Sequence, residues 1–241
     1  MYKWPNQNFA PNLESAALIR DSVGRISVQR RATTSIRVDE GMILRPAQTI
    51  HSNALIEAFM ETWPEVSRAM PWIIPDQPME PQIIDFLEET ERMGRTGYLH
   101  HWAIIRPWDE SLIGLIGFDK ITRSAEADWN LGYWIRSSEQ RRGHAQKAID
   151  AVLDWMSRSG IIVVELKVDP LNTAGLKTVN RTVRKWNGSR CVTGDSSITV
   201  SGTRTTHQCY TIPISDSNLF EYFWIDWLYV GECVVNGLSA N

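Results

Sequence analysis

Cysteine is scarce in this chain: Cys191, Cys209 and Cys233 are odd in number and widely spaced among 241 residues. They match no zinc-ligand or CxxC pattern, so a reducing compartment is the simpler setting. An excess of one charge is also missing. Twenty-five basic against 28 acidic residues leave a net charge of −3, with no global pull toward nucleic acid or acidic lipid. No apolar run reaches the length of a transmembrane helix, and the N-terminus lacks the compact apolar core of a secretory signal. There is no internal repeat or low-complexity block, and nothing resembles a metal site or a Ser/His/Asp arrangement. These absences leave a soluble cytoplasmic protein, with no metal and no nucleic-acid or membrane partner expected. The length fits one domain with extensions and a substantial core.

What is present centres on Leu131 to Ile149, LGYWIRSSEQRRGHAQKAI. An extended segment runs to Ile135, a short polar loop follows, and Gln140-Arg141-Arg142-Gly143-His144-Ala145 opens a helix. Ala145, Ala148, Ile149, Val152, Leu153 and Met156 recur at helical spacing and make one apolar face. The first amides of a helix have no internal partner, and the helix dipole adds partial positive charge there. Gly143 has no Cβ to block a close approach, Ala145 has only a methyl, and Arg141, Arg142 and His144 surround the turn with donors. Such an end suits a phosphate or pyrophosphate; an ordinary helix start with solvated arginines fits the same spacing.

Gln140-x-x-Gly143-x-Ala145, preceded by Gly132-Tyr133-Trp134-Ile135, resembles the Q/R-x-x-G-x-G/A acetyl-CoA motif of the GNAT acyltransferases. The GYW(I/L) strand is most similar to the branch that includes the ribosomal-protein N-terminal acetyltransferases. The resemblance spans roughly Met42 to Ile214. It implies an α/β fold of GNAT type, a mixed, mostly antiparallel sheet of about seven strands flanked by helices. It also implies transfer of acetyl from acetyl-CoA to a primary amine, with a protein N-terminal α-amine as first choice. A polyamine or aminoglycoside acceptor, or a CoA-binding module with little turnover, are the alternatives.

Three regions follow from the chain order. Residues 1–38 read as a flexible arm ending in a basic, hydroxyl-rich stretch, residues 39–215 as the domain, and residues 216–241 as an aromatic extension. Met42 to Pro46 reads as a first strand ending at proline. Helical periodicity follows through Leu55, Phe59 and Met60, again near Pro64 to Met70, and over Pro81 to Arg92. Trp72, between prolines, suits core packing, and the resemblance implies that its segment borders the acceptor pocket. Tyr98–Ile105, Leu112–Ile121 and Ala127–Ile135, joined by short turns, predict an antiparallel meander. Ile161–Val168 suits a buried parallel strand. Asn172 begins another helix, and Cys191–Val200 and Gln208–Ile214 complete the sheet. Phe220, Tyr222, Phe223, Trp224, Trp227 and Tyr229 give the tail enough apolar area to predict packing on the domain or a homodimer contact.

The resemblance assigns roles residue by residue. The backbone of Trp134, Ile135 and Arg136 would grip pantetheine and orient the thioester, and Gln140 to Ala145 would hold the pyrophosphate. Asn172 matches a position that hydrogen-bonds the pantetheine arm, and it is equally suited to capping its helix. Many relatives carry a glutamate base two residues before the GY; here that position is Asn130, which cannot accept a proton. Asp128 or Glu126 could serve through a water, or each could sit on a solvated hairpin end. No tyrosine lies between Asn172 and Gly188 to protonate the departing thiolate; Tyr133 is the nearest substitute, or else a core aromatic. His100 and His101 face opposite sides of their strand, and one of them could line the acceptor cleft.

Overall fold

Near-continuous apolar runs in the central strands build a sheet buried on both faces, and helices cover both. The computed structural model describes residues 31–214, apart from residue 71 and residues 121–125, 159–161 and 201–202. Residues 1–30 of the arm and the whole aromatic extension lie outside that range. The strands are β1 Ile36–Asp39, β2 Met42–Pro46, β3 Leu99–Ile105, β4 Leu112–Lys120 and β5 Trp129–Ile135, then β6 Ile162–Val168, β7 Ser189–Arg190, β8 Ser196–Val200 and β9 Thr203–Ile214. They lie in the order β1-β2-β3-β4-β5-β6-β9-β7, with β8 also on β9. The helices are α1 Ser52–Glu61, α2 Glu65–Ala69, α3 Met79–Thr96, α4 His144–Ser157 and α5 Thr173–Lys185.

Among the described residues there are nine strands where the sequence suggests about seven. One addition is β1, at the edge, where Ile36 and Val38 pack on the core from inside the stretch read as arm. The other is β7. The expected strand over Cys191–Val200 is interrupted by a turn in which the Gly194 amide donates to the Cys191 carbonyl at 3.1 Å. Gly194 has a φ of +87°, which a side chain would strain. Strand β7 pairs with β9 as Ser189↔Thr211 and Arg190↔Tyr210. The same register places Cys191 opposite Cys209, and the two form a disulfide across 18 residues of sequence. The cysteine spacing gave no sign of this pair, and a disulfide departs from the reducing setting that the spacing suggested.

One core lies under α4 and α5, with Trp102, Ile116, Leu131, Ile149, Leu153 and Ile212 among its members. The other lies under α1 to α3, with Phe59, Trp72, Phe86, Leu115 and Trp134. Trp72 stacks on Phe86 at 4.4 Å between ring centres, so packing accounts for it. The expected stripe of α4 is buried at Ala148, Ile149, Val152, Leu153 and Met156. Each large aliphatic of that set contributes about 1.5–3 kcal/mol on burial. A side-chain N-cap would add only about 1 kcal/mol. Packing therefore fixes α4, and its N-terminus is left free to serve something else.

His100 is buried against Trp129 and Trp155 in the first core, its Nδ1 2.9 Å from Thr33 Oγ1. Burial, then the charges of Arg31 and His101, push its pKa down to about 3. The unfolded chain therefore takes up a proton below about pH 6.5 that the folded chain refuses. The stability is present above that pH and is lost as pH falls toward the folded value. The slope is about 1.4 kcal/mol per pH unit, or about 2 kcal/mol between pH 6.5 and 5. Urea midpoints at pH 7 and pH 5 should show this loss, and His100→Gln should shrink it.

Candidate active site

The turn before α4 is shaped by left-handed backbone at two positions, Arg141 with φ +62° and Gly143 with φ +81°. Gly143 is the N-cap, no side chain caps the helix, and its first turn holds no acidic residue. A Cβ built on Gly143 would meet nothing within 4 Å. The first amides of α4, those of His144, Ala145 and Gln146, have no intrahelical partner and stand at the positive end of a helix dipole. This fits a diphosphate. The Gln140 side chain is spent inside the protein, where Nε2 donates to the Ile135 carbonyl at 3.1 Å and ties the turn to the end of β5.

Beneath the turn sits Glu139, which is buried. One carboxylate oxygen accepts from Arg106; the other lies 3.3 Å from both Arg142 Nη1 and His144 Nε2. Burial opposes the charge of Glu139, but Arg106, Arg142 and His144 outweigh it and hold the carboxyl below its usual range. The pKa of His144 is lowered as well, because burial outweighs the pull of Glu139. Arg141 is exposed at the rim, and Ala145 packs partly buried on the core. Glu139 and Arg106 were missed in the sequence. Glu139 carried only the weak signal of standing three residues before Arg142; Arg106 carried none.

Strands β5 and β6 are register partners at only Trp129↔Val164 and Asn130↔Glu165 among the described residues. Beyond them β5 continues along β4, and β6 along β9, leaving a gap. The Trp134 carbonyl lies against Gly114, and the Arg136 amide donates to the Ile113 carbonyl at 3.0 Å. Those groups serve the β4 edge. Backbone direction alternates along a strand, so the amides of Tyr133 and Ile135 and the Tyr133 carbonyl face the gap instead, while the Ile135 carbonyl on that side accepts from Gln140. Of the three backbone positions named from the sequence, Ile135 alone opens on that side, and Tyr133 joins it. The Trp134 side chain turns into the second core, edge-on to Phe59 at 4.9 Å. The Arg136 side chain points to α1, with Nε 2.8 Å from Glu61 and Nη2 2.9 Å from Glu57.

Asn172 caps α5, its Oδ1 accepting the Gly175 amide at 2.8 Å. That cap uses the oxygen and not the amide nitrogen. Tyr133 packs partly buried on the first core, where burial raises its pKa and a hydrogen bond with Thr178 lowers it. Helix α5 carries no tyrosine, and a tyrosine from β5 meets it instead. Asp128 accepts the Val163 amide at 3.0 Å and joins the starts of β5 and β6. Glu126 accepts the Thr193 amide at 2.6 Å and the Val192 amide at 2.8 Å, and the Thr193 bonds lead in holding its pKa low. Both candidate bases therefore carry structural hydrogen bonds. Among the described residues no three His, Cys, Asp or Glu side chains cluster as metal ligands. No helix among them is long and apolar enough to cross a membrane.

Comparison with known proteins gives a consistent set. A family described as "Acetyltransferase (GNAT) domain" matches residues 42–182. The ribosomal-protein-serine acetyltransferase of Escherichia coli (strain K12) is 24% identical over 150 residues, 57% of this chain and 76% of that protein. The ribosomal-protein-S5-alanine acetyltransferase of Vibrio fischeri superposes with a TM-score of 0.60 at 16% identity, over 76% of this chain and 98% of that one. A ribosomal L7/L12 alpha-N-protein acetyltransferase in complex with coenzyme A gives 0.59 at 17% identity, over 76% and 99%.

Proposed function

The chain belongs to the GNAT acetyltransferase family, and from that premise we propose that its acceptor is the α-amine at a protein N-terminus. Acetyl-CoA is the donor and a primary amine the acceptor. When bound, acetyl-CoA supplies an activated acyl carbonyl. The amides of His144 and Ala145 beside Gly143 would hold its diphosphate, the gap-facing backbone of Tyr133 and Ile135 its pantetheine, and the Asn172 amide nitrogen would add a donor. The Tyr133 hydroxyl, at the α5 wall of the gap, is the group for the departing thiolate.

The observation that carries the acceptor is the sequence likeness to the Escherichia coli ribosomal-protein-serine acetyltransferase. Chemistry favours the same choice. An α-amine has a pKa near ~8 and is roughly a tenth neutral at pH 7; a lysine near ~10.4 is less than about 0.1% neutral. Asn130 removes the usual strand carboxylate, so the less demanding amine suits this chain. The reading includes a cytoplasmic setting, and the aromatic extension, outside the described residues, keeps both of its expected roles, packing on the domain or a homodimer contact.

The test is release of free CoA over N-terminal peptides, polyamines and aminoglycosides. Peptides with a free α-amine should exceed the same peptides blocked at the N-terminus, lysine retained, by at least about tenfold in kcat/KM. Preference for a polyamine or aminoglycoside would reject the protein acceptor.

A further inference from the structure

We infer that Asp119, held in place by His101 and Thr90, is the base that takes the proton from the acceptor amine. The inference rests on the acetyl-transfer reading above and supplies the group that Asn130 cannot. It follows from strand register. Directly paired residues of neighbouring strands project to one face. Ala103, Leu115 and Trp134 form one such row and belong to the core under α1 to α3. The next row on that face is His101, Gly117 and Gly132; the one after is Leu99, Asp119, Asn130 and Glu165. Asn130 is where β5 leaves β6, so Asp119 stands one strand in from the opening of the gap.

The rows have a defined relief. A Cβ on Gly117 would fall 1.7 Å from His101 Cδ2, so the imidazole lies flat over that glycine. A Cβ on Gly132 would meet nothing within 4 Å. The floor is therefore filled on β4 and open on β5, with Asp119 beside the opening. Diagonal neighbours on a sheet are about 7–8 Å apart, within reach of an amine and one water.

The polar connections are directional. His101 Nε2 is 3.1 Å from Asp119 Oδ1, and His101 Nδ1 is 3.3 Å from Thr90 Oγ1. An ionised carboxylate only accepts, which assigns the proton to Nε2 and makes Nδ1 the acceptor of the Thr90 hydroxyl. Phe86 stacks on the other side of the ring at 5.5 Å. Thr90 and the imidazole are buried, whereas the Asp119 side chain is 40% exposed. The exposed end touches substrate, and the buried members orient it.

The other carboxylates nearby are committed. Glu165 is buried and paired with Lys167. Asp128 and Glu126 accept backbone amides. The step balances simply. The acceptor ammonium gives one proton to Asp119, and its nitrogen lone pair forms the bond to the acyl carbon as the carbon–sulfur bond breaks. The second nitrogen proton is lost as the amide forms; one proton leaves on the thiol and one to solvent.

Asp119→Asn should lower kcat/KM for a peptide α-amine about 100-fold or more, with acetyl-CoA affinity within twofold of wild type by calorimetry. Across amines of decreasing basicity the deficit should shrink, because a weakly basic amine is already neutral. Thr90→Val keeps volume and the carboxylate, and should cost about tenfold with the same trend. Rates within threefold of wild type for Asp119→Asn overturn the assignment, as does a deficit equal across the amine series. A wild-type protein that releases CoA with no amine overturns the acetyl-transfer reading itself. An active wild type matched by Asp119→Asn overturns the base alone.

Discussion

Gly143→Glu should weaken acetyl-CoA binding at least about 100-fold while lowering the melting temperature by only a few degrees. The two effects separate because Gly143 does different things for folding and for binding. For folding it supplies a φ of +81° at the N-cap of α4, with nothing within 4 Å of where a side chain would start. A non-glycine residue there costs about 1–2 kcal/mol of backbone strain. An acidic side chain at a helix N-terminus returns about 0.3–1 kcal/mol through the dipole. For binding the sign reverses. The same carboxylate occupies the open space before the first amides of α4 and repels a diphosphate. Two orders of magnitude is about 2.7 kcal/mol, a modest demand for one misplaced charge against a doubly charged group. Calorimetry with acetyl-CoA and a thermal melt on the same sample decide it. Unchanged affinity would remove the diphosphate from this turn.

The parts of this molecule legible in sequence are those set by local period and local chemistry. The stripe of α4, the meander of β3 to β5 and the capping role of Asn172 each follow from residues within a few positions of one another. Strand β1 was hidden because Ile36 and Val38 alternate inside a stretch whose arginines and hydroxyls dominate its composition. The Cys191–Cys209 bond was hidden because it depends on how β7 pairs with β9. The site divides the same way. Gly143 and the arginines of its turn are neighbours in sequence; the Glu139 carboxylate beneath Arg142 and His144 reaches Arg106, 33 residues away. His101 and Asp119 look like unrelated residues on two strands until the β3–β4 register brings them to 3.1 Å. Spacing in sequence carries no information about that distance. Asp128, which the sequence offers as a base or as part of a solvated hairpin end, accepts a backbone amide from β6, a bond that sequence spacing does not show either.

Gly117→Ala and Gly132→Ala should behave in opposite ways, although the two glycines are direct partners on adjacent strands. At Gly117 the new methyl would lie 1.7 Å from His101 Cδ2 and 2.6 Å from Nε2. The ring cannot swing aside freely, because Phe86 stacks on it and it is only 9% exposed. Overpacking of this kind costs about 1–3 kcal/mol, and more when a buried polar contact is lost as well. For a chain of this size that is a fall of about 2–4 °C per kcal/mol, so about 6–12 °C for 3 kcal/mol. Activity should fall with it, since a displaced His101 no longer orients Asp119. At Gly132 the methyl meets no atom, and an exposed substitution of this type stays within about 0.5 kcal/mol of wild type. Its effect should appear in the kinetics, as a methyl on the floor beside Asp119 raises KM for a peptide amine with acetyl-CoA affinity unchanged. Thermal melts and steady-state kinetics of both variants make the comparison. If Gly117→Ala were as stable and as active as wild type, the imidazole would not lie over β4, and Asp119 would lose the partner that aims it.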